Sequence, residues 1–183
     1  MQRTIVEEST RNMSIIDVFS KLVQERIIFI DSLIDDELAN GVIAQLLYLD
    51  SVNQNEISIY INTPGGSVMD GLAIYDVSKL IKSPIRTVCI GGAISMGAIL
   101  MLMGKERCIT KHSRMMLHQP SAEASGKVDN IRITHNFVEK LKKEMYAIIE
   151  ENTTLTNVEE LFRWDTWYTS EEALACGLVT KIL

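Results

Sequence analysis

Between Arg86 and Lys105 the chain runs for eighteen residues without a charge, Thr-Val-Cys-Ile-Gly-Gly-Ala-Ile-Ser-Met-Gly-Ala-Ile-Leu-Met-Leu-Met-Gly. No other feature limits the fold so much, because a stretch of that length and character must be enclosed on all sides, by protein or by lipid. Gly91-Gly92 and Ser95 interrupt it, its first half is β-branched, and its second half is rich in Ala, Leu and Met. That division predicts a buried strand leading into a buried helix rather than a membrane span, with Ser95 on the turn between them. The first N–H groups of a helix lack intrahelical partners and carry the positive end of its dipole, so an oxyanion forming beside Ser95 would meet donors there. Ala93-Ile94-Ser95-Met96-Gly97 also has the small-x-Ser-x-Gly form of a nucleophile elbow. Taken alone, such a match more often marks a small polar residue packed where strand meets helix.

The flanking segments alternate between the two periods. Upstream, Ser14 and Asp17 are spaced like a capping box for a helix over Ser14 to Glu25, and Arg26 to Ile30 reads as a short strand. Asp35-Asp36-Glu37 opens a helix whose Leu38, Val42, Leu46 and Leu49 recur at helical spacing, and Ser51 to Asn55 ends it. Glu56 to Ile61 alternates as a strand, residues 62–67 make a Pro-Gly-Gly turn, and a helix over Val68 to Ile81 stops at Ser83-Pro84. Alternation of this kind predicts an α/β fold of βαβ units around a largely parallel sheet. Sites in such sheets form at the carboxyl ends of strands, where both the Pro64-Gly65-Gly66 turn and Ser95 lie. The two turns are therefore expected to face one pocket.

Downstream, Arg107 to Thr110 and Arg114 to Leu117 read as short strands, and Ser121 to Gly126 as a loop or flexible edge strand. Val128 to Glu151 is an amphipathic helix too long to stay within a compact domain of this size. A brief helix over Asn157 to Arg163, a turn over Asp165 to Thr169, a helix capped by Thr169 and Glu172 and ended by Gly177, and a strand over Leu178 to Leu183 complete the reading. Residues 1–12 are expected to form a strand and loop at the edge.

Bulk properties narrow the function. A chain of 183 residues fits one domain that needs no disulfides, and its three cysteines, odd in number and without a Cys-x-x-Cys, fit reduced thiols in a cytoplasmic setting rather than a zinc site. A net charge of −6 without a Lys/Arg cluster argues against nucleic acid and against anionic membrane as partners. The N-terminal residues carry acids early and no long apolar run, so no leader peptide is expected.

A serine hydroxyl needs a base, and the base needs an orienting acid. His112 falls in a polar turn and His135 on a charged helix face; His118 ends an apolar strand and suits a general base. For the acid, the Ser-acid-His order of an α/β-hydrolase would require Glu106, which sits between Lys105 and Arg107 in an exposed turn. Asp165 stands instead between Trp164 and Thr166-Trp167, aromatic neighbours expected to bury part of it and fix its direction.

Tyr60-Ile-Asn-Thr-Pro-Gly-Gly66, Ser95-Met-Gly-Ala98, Ser113-Arg-Met-Met-Leu-His-Gln-Pro120 and Ser170-Glu-Glu-Ala173, with Phe19 to Phe29, Ile43 to Leu49, Gly71 to Asp76 and Gly177-Leu178, occur in the order in which they occur in proteolytic subunits of the Clp protease. The chain closely resembles that family along almost its whole length. The resemblance implies a crotonase/ClpP-like spiral of βαβ units with a protruding handle helix: an N-terminal axial loop at 1–12, a head at 14–120 and 157–183, and a handle at 121–152. It implies a serine endopeptidase with Ser95 as nucleophile, His118 as base and Asp165 as acid, and an oxyanion hole from the N–H groups of Gly66 and Met96. No cofactor or metal is implied. Peptide substrate would pair with the segment Ser121, Ala122, Glu123, Ala124, Ser125, Gly126 and contact Gly65. Two stacked seven-membered rings, fed with unfolded protein by an AAA+ unfoldase ATPase, are the implied assembly. This sequence departs from the family where Ser121-Ala122-Glu123 replaces a glycine pair and where Trp164 replaces an arginine, with Arg163 one place earlier. The Gly104-Lys105 turn and the N-terminal loop are also shortened. The alternatives are a weakly active or inactive ring subunit that needs an active paralogue and has a structural or ATPase-docking role, and an acyl-CoA enzyme of the related crotonase-like fold.

Overall fold

The computed structural model describes residues 4–9 and 12–183, with side chains from residue 16 onward. In chain order the first half comprises β1 (Thr4–Ser9), β2 (Asn12–Asp17), α1 (Val18–Gln24), β3 (Ile27–Ile30), α2 (Asp36–Val52), β4 (Ile57–Thr63) and α3 (Val68–Leu80). The second half comprises β5 (Ile85–Ile94), α4 (Met96–Met101), β6 (Glu106–Ile109), β7 (Arg114–Leu117), α5 (Val128–Asn152), α6 (Val158–Leu161), β8 (Thr166–Tyr168), α7 (Ser170–Ala175) and β9 (Lys181–Ile182). β1 and β2 form a separate antiparallel pair. The main sheet has seven strands, with β3, β4, β5, β6 and β9 parallel neighbours in that order. β7 joins β5 in parallel and β8 lies antiparallel on β7. The expected α/β architecture with a mainly parallel sheet is therefore present.

The charge-free run divides as its composition predicts, into β5 and α4 on either side of Ser95. All six residues of α4 are buried, and among the described residues no helix is long and apolar enough to cross a membrane. β4 buries alternate residues, Ile57, Ile59, Ile61 and Thr63, the period expected when one face of a strand meets a covering layer. Ala39, Val42, Leu46 and Leu49 of α2, with Ile74 and Tyr75 of α3, belong to the same continuous core.

β5 changes partner part-way along. Arg86–Cys89 pair with β6, whereas Gly92–Ile94 pair with β7. On its other edge Ile61 lies opposite Cys89 but Thr63 lies opposite Ala93, so β5 advances four residues while β4 advances two. This bulge is what Gly91-Gly92 supplies. Gly91 has φ +79 and donates its N–H to Ser113 Oγ at 2.7 Å, while the Gly92 N–H donates to Asn62 Oδ1 at 3.0 Å. A Cβ on Gly91 would stand 2.6 Å from Asn62 Oδ1.

Three local expectations are corrected. Residues 14–17 are strand, and the first helix starts at Val18 with Asp17 as its cap, accepting the Ser20 N–H at 2.9 Å. The ladder that wins sets β-branched residues opposite one another, Ile5 to Ile16 and Val6 to Ile15, a composition that favours strand over helix. Residues 166–168, expected as part of a turn, form β8, in keeping with the strand preference of Thr, Trp and Tyr. The final strand contracts to Lys181–Ile182. Of the segment 1–12, residues 1–3 and 10–11 lie outside the described residues.

α5 has 25 residues, about 37 Å at 1.5 Å per residue. Its buried residues, Met145, Tyr146 and Ile149, all lie in its C-terminal third, while Val128, Ile131, Ile133 and Phe137 are exposed. The helix thus leaves most of its length outside the core.

Candidate active site

Ser95 stands at the N-cap of α4 with φ 55 and ψ −120, a conformation rare for a residue with a side chain. Such a backbone costs about 1–3 kcal/mol and persists only where neighbours impose it. Here the Ser95 N–H donates to the Met116 carbonyl at 2.8 Å, continuing the β5–β7 ladder, and the Ser95 carbonyl accepts from Ala98 at 2.9 Å to start the helix. A serine at an N-cap ordinarily turns its hydroxyl onto the helix. Ser95 makes no such side-chain cap bond, and its Oγ lies 2.8 Å from His118 Nε2.

His118 follows β7, and Asp165 precedes β8. The antiparallel register pairs Leu117 with Thr166, so His118 and Asp165 occupy the next rung at the open end of that ladder. Their closest approach, Nδ1 to Oδ1, is 3.8 Å, longer than a hydrogen bond. The Asp165 side chain is 65% exposed and that of His118 26%. The expectation that Trp164 and Trp167 bury Asp165 is not met: both indoles are themselves exposed, at 77% and 56%. The reason is topological, since among the described residues β8 pairs only with β7 and so lies at an edge of the sheet.

The Pro-Gly-Gly turn after β4 comes up against the same elbow. Gly65 has φ +91, and a Cβ there would stand 2.7 Å from the Ile94 oxygen, 2.8 Å from Ser95 Cβ and 3.2 Å from the Met96 nitrogen. Gly66 has φ +151 and a parallel bridge to Ile34; a Cβ there would fall 2.2 Å from the Ile34 oxygen. Both positions require glycine for close approach as well as for φ. Met96 opens α4, so its N–H has no carbonyl one turn back to meet. The two turns, expected to share a pocket, are adjacent.

His118, Gln119, Pro120, Ser121, Arg163, Trp164 and Asp165 line an open cavity of about 620 Å³ beside the histidine. Of the segment 121–126 only Ser121 lines it; Ala122, Glu123, Ala124, Ser125 and Gly126 are exposed and lie outside any strand. Gly65 is buried, with its N–H on Thr63 Oγ1 at 3.1 Å and its carbonyl accepting from the Ile34 N–H at 2.8 Å. His112 and His135 are exposed and have no part in this cluster, and Glu106 instead meets Arg86 at 3.4 Å. Among the described residues no group of three or more His, Cys, Asp or Glu is placed to hold a metal ion. The cysteines are unpaired, with Cys89 and Cys108 buried; burial raises the Cys89 thiol to about 11, which keeps it protonated and unreactive at neutral pH.

A strained serine elbow, a histidine in contact with its hydroxyl, a carboxylate across the same rung and a glycine-dependent turn packed against the elbow are the parts of a serine hydrolase. Comparison with known proteins agrees. A family model described as Clp protease matches residues 10–183. The chain belongs to the Clp protease family. It is 45% identical over 185 residues to an ATP-dependent Clp protease proteolytic subunit of Bacteroides thetaiotaomicron, covering 98% of this chain and 84% of that protein. With the corresponding subunit of Porphyromonas gingivalis it shares 42% identity over 185 residues, covering 98% and 83%. A subunit 1 of the same description from Salinibacter ruber is 39% identical over 184 residues, covering 98% and 79%. As a member of the Clp protease family, the chain is a peptide-bond hydrolase of the serine type.

Asn62, Thr63 and Ser113, which hold the bulge and the Gly65 turn, were not distinguishable in the sequence. The bonds from Ser113 to Gly91, from Asn62 to Gly92 and from Thr63 to Ser32 span 22 to 31 residues, and no periodicity marks such pairs.

Proposed function

We propose that this chain is the peptidase subunit of a ring-shaped Clp chamber, in which Ser95 is the nucleophile, His118 the general base, Asp165 the orienting acid, and the N–H groups of Gly66 and Met96 the oxyanion donors. The observation that carries the reading is the 2.8 Å contact between His118 Nε2 and Ser95 Oγ. With its proton on Nδ1, His118 accepts the Ser95 proton at Nε2 as Oγ adds to the scissile carbonyl. The imidazolium then returns that proton to the departing amine, and the acyl-serine is hydrolysed by water activated in the same way. Closing the 3.8 Å gap to Asp165 would hold the required tautomer and stabilise the imidazolium.

In this reading residues 121–126 pair with an extended substrate peptide along the cavity that begins at Ser121, residues 1–12 border the axial entrance, and α5, as the handle of a single head-and-handle domain, joins two seven-membered rings. The exposed apolar side chains along the N-terminal half of α5 support a role in subunit contact. The relatives are named as subunits of an ATP-dependent protease, which supports an AAA+ unfoldase ATPase as partner, unfolded protein as substrate and a cytoplasmic location. Trp164, in place of the family's arginine, favours an apolar rather than an ionic contact between rings.

The test combines labelling, kinetics and size. A serine-directed fluorophosphonate is expected to label Ser95 in the assembled protein, and Ser95→Ala to lower peptide turnover by about 10⁴- to 10⁶-fold with unchanged sedimentation. Undiminished turnover in Ser95→Ala would sink the serine reading.

A further inference from the structure

We infer that Thr63 is a positioning residue for the oxyanion donors: its hydroxyl fixes the Gly65-Gly66 turn, and its methyl group sets the spacing between that turn and the Ser95 helix. This rests on reading Gly66 and Met96 as the donors.

Thr63 occupies the fourth inward position of β4, after Ile57, Ile59 and Ile61, and is 3% exposed. Strand periodicity calls for another apolar side chain there, and valine has the same shape. A buried hydroxyl is costly unless it is bonded. This one is bonded twice, donating to the Ser32 carbonyl and accepting the Gly65 N–H at 3.1 Å. Ser32 belongs to the strap that follows β3, and the same strap reaches the turn through Ile34, whose N–H donates to the Gly65 carbonyl and whose carbonyl accepts from Ser67, both at 2.8 Å. Gly65 is thereby held on both sides, at its N–H by Thr63 and at its carbonyl by Ile34.

The consequence follows from peptide planarity. The Gly65 carbonyl and the Gly66 N–H share one trans peptide unit and point in opposite directions. With the carbonyl fixed on the strap, the Gly66 N–H must point away from it. Glycine has wide conformational freedom, so two successive glycines define this direction only if something outside them does so. Thr63 Oγ1 supplies the anchor on the side that Ile34 does not reach.

The methyl group meets the other donor's element. A Cβ on Gly97 would stand 2.5 Å from Thr63 Cγ2, so the first turn of α4, which carries the Met96 N–H, rests directly on this side chain. One residue therefore touches the supports of both donors without touching substrate.

Three single variants and one double variant assayed on a short peptide, with the affinity of a peptide boronate as a second readout, test the inference. The boronate forms a tetrahedral adduct on the serine and so reports the oxyanion hole apart from turnover. Thr63→Val keeps the shape and loses both hydrogen bonds. It is expected to lower kcat about 10- to 100-fold with KM within about twofold, and to weaken the boronate by a similar factor. Thr63→Ser, which restores the hydroxyl, is expected to recover most of that loss. Gly97→Ala presses on the Thr63 methyl and should lower kcat, and pairing it with Thr63→Ser, which vacates that space, should restore it. A Thr63→Val enzyme with kcat within twofold of the parent, a loss appearing in KM alone, or equal damage from Val and Ser would overturn the inference. If Thr63→Val does not assemble, the Gly97→Ala pair decides, and absence of rescue counts against it. Ser95→Ala separates the two levels: an active Ser95→Ala refutes the serine reading itself, whereas an inactive one beside a fully active Thr63→Val refutes only the role of Thr63.

Discussion

Gly66 and Gly41 differ in what surrounds the missing side chain, and that difference sets what alanine does at each. At Gly66 a Cβ would be driven into the Ile34 carbonyl at 2.2 Å on a backbone with φ +151, whereas at Gly41, within α2, nothing lies within 4 Å. Gly66→Ala is expected to lower kcat by about 10²-fold or more, read by peptide hydrolysis, because the turn must shift to admit the methyl group. Gly41→Ala should leave activity unchanged and stabilise the protein by about 0.5–1 kcal/mol, read as a rise in melting temperature. The glycines of the turn were legible in the sequence because Pro-Gly-Gly at a strand end has few other uses. Ser95 and His118 were legible because each ends or follows an apolar strand. The exposure of Asp165 was not, since flanking tryptophans predict burial only where another layer covers them, and β8 lies at the sheet edge.

The join between α2 and the turn leading into β5 depends on one carboxylate. Asp50 accepts the Ser83 N–H at 2.7 Å, the Ser83 hydroxyl at 2.8 Å and the Lys82 N–H at 3.0 Å. The Ser83 hydroxyl and then its N–H lower the Asp50 carboxyl below its ordinary value, against an opposing effect of desolvation. A carboxyl lowered in the folded state stabilises the fold above its unfolded pKa of 3.8, and that contribution is lost as pH falls through the lower folded value. Asp50→Asn is therefore expected to reduce stability at neutral pH and to flatten the acid limb of the stability curve, measured by urea unfolding from pH 6 downward. An acid limb of unchanged slope would show that other carboxylates govern it. Arg26 strengthens the same join: its guanidinium donates to the carbonyls of Leu49, Asn53, Asn55 and Glu56 and to Ser83 Oγ. Such joins are invisible to periodicity, which located α2, α3, β4, β5 and α5 well. It failed at Ser14–Asp17, where a capping-box spacing coincided with β-branched residues that pair across a hairpin.

At the scale of the molecule, the N-terminal half of α5 leaves apolar side chains exposed on two sides, Val128 and Ile131 on one and Ile133 and Phe137 on the other. Val128, Ile131, Ile133 and Phe137 are 71%, 40%, 67% and 45% exposed, while the C-terminal third of the helix is anchored in the core and α6 is tied to it through Lys142 and Glu159 at 3.1 Å. Replacing Ile133 and Phe137 together by Glu should leave the circular dichroism spectrum unchanged and reduce the sedimenting size, because the change touches the surface and not the packing. An unchanged size would remove this face from the assembly. The three groups proposed as catalytic sit on three neighbouring strands: Ser95 is tied by its N–H to β7, His118 follows β7, and Asp165 faces it across the β7–β8 ladder. Between His118 and Asp165 the chain leaves the sheet for the whole of α5 and α6, and it returns where the Gln119 N–H meets the Phe162 carbonyl at 2.7 Å. That clasp closes the excursion at its base. The clasp, rather than the length of the helices above it, therefore sets where the two ends of the excursion meet, and an insertion or deletion within α5 is expected to leave His118 and Asp165 on the same rung.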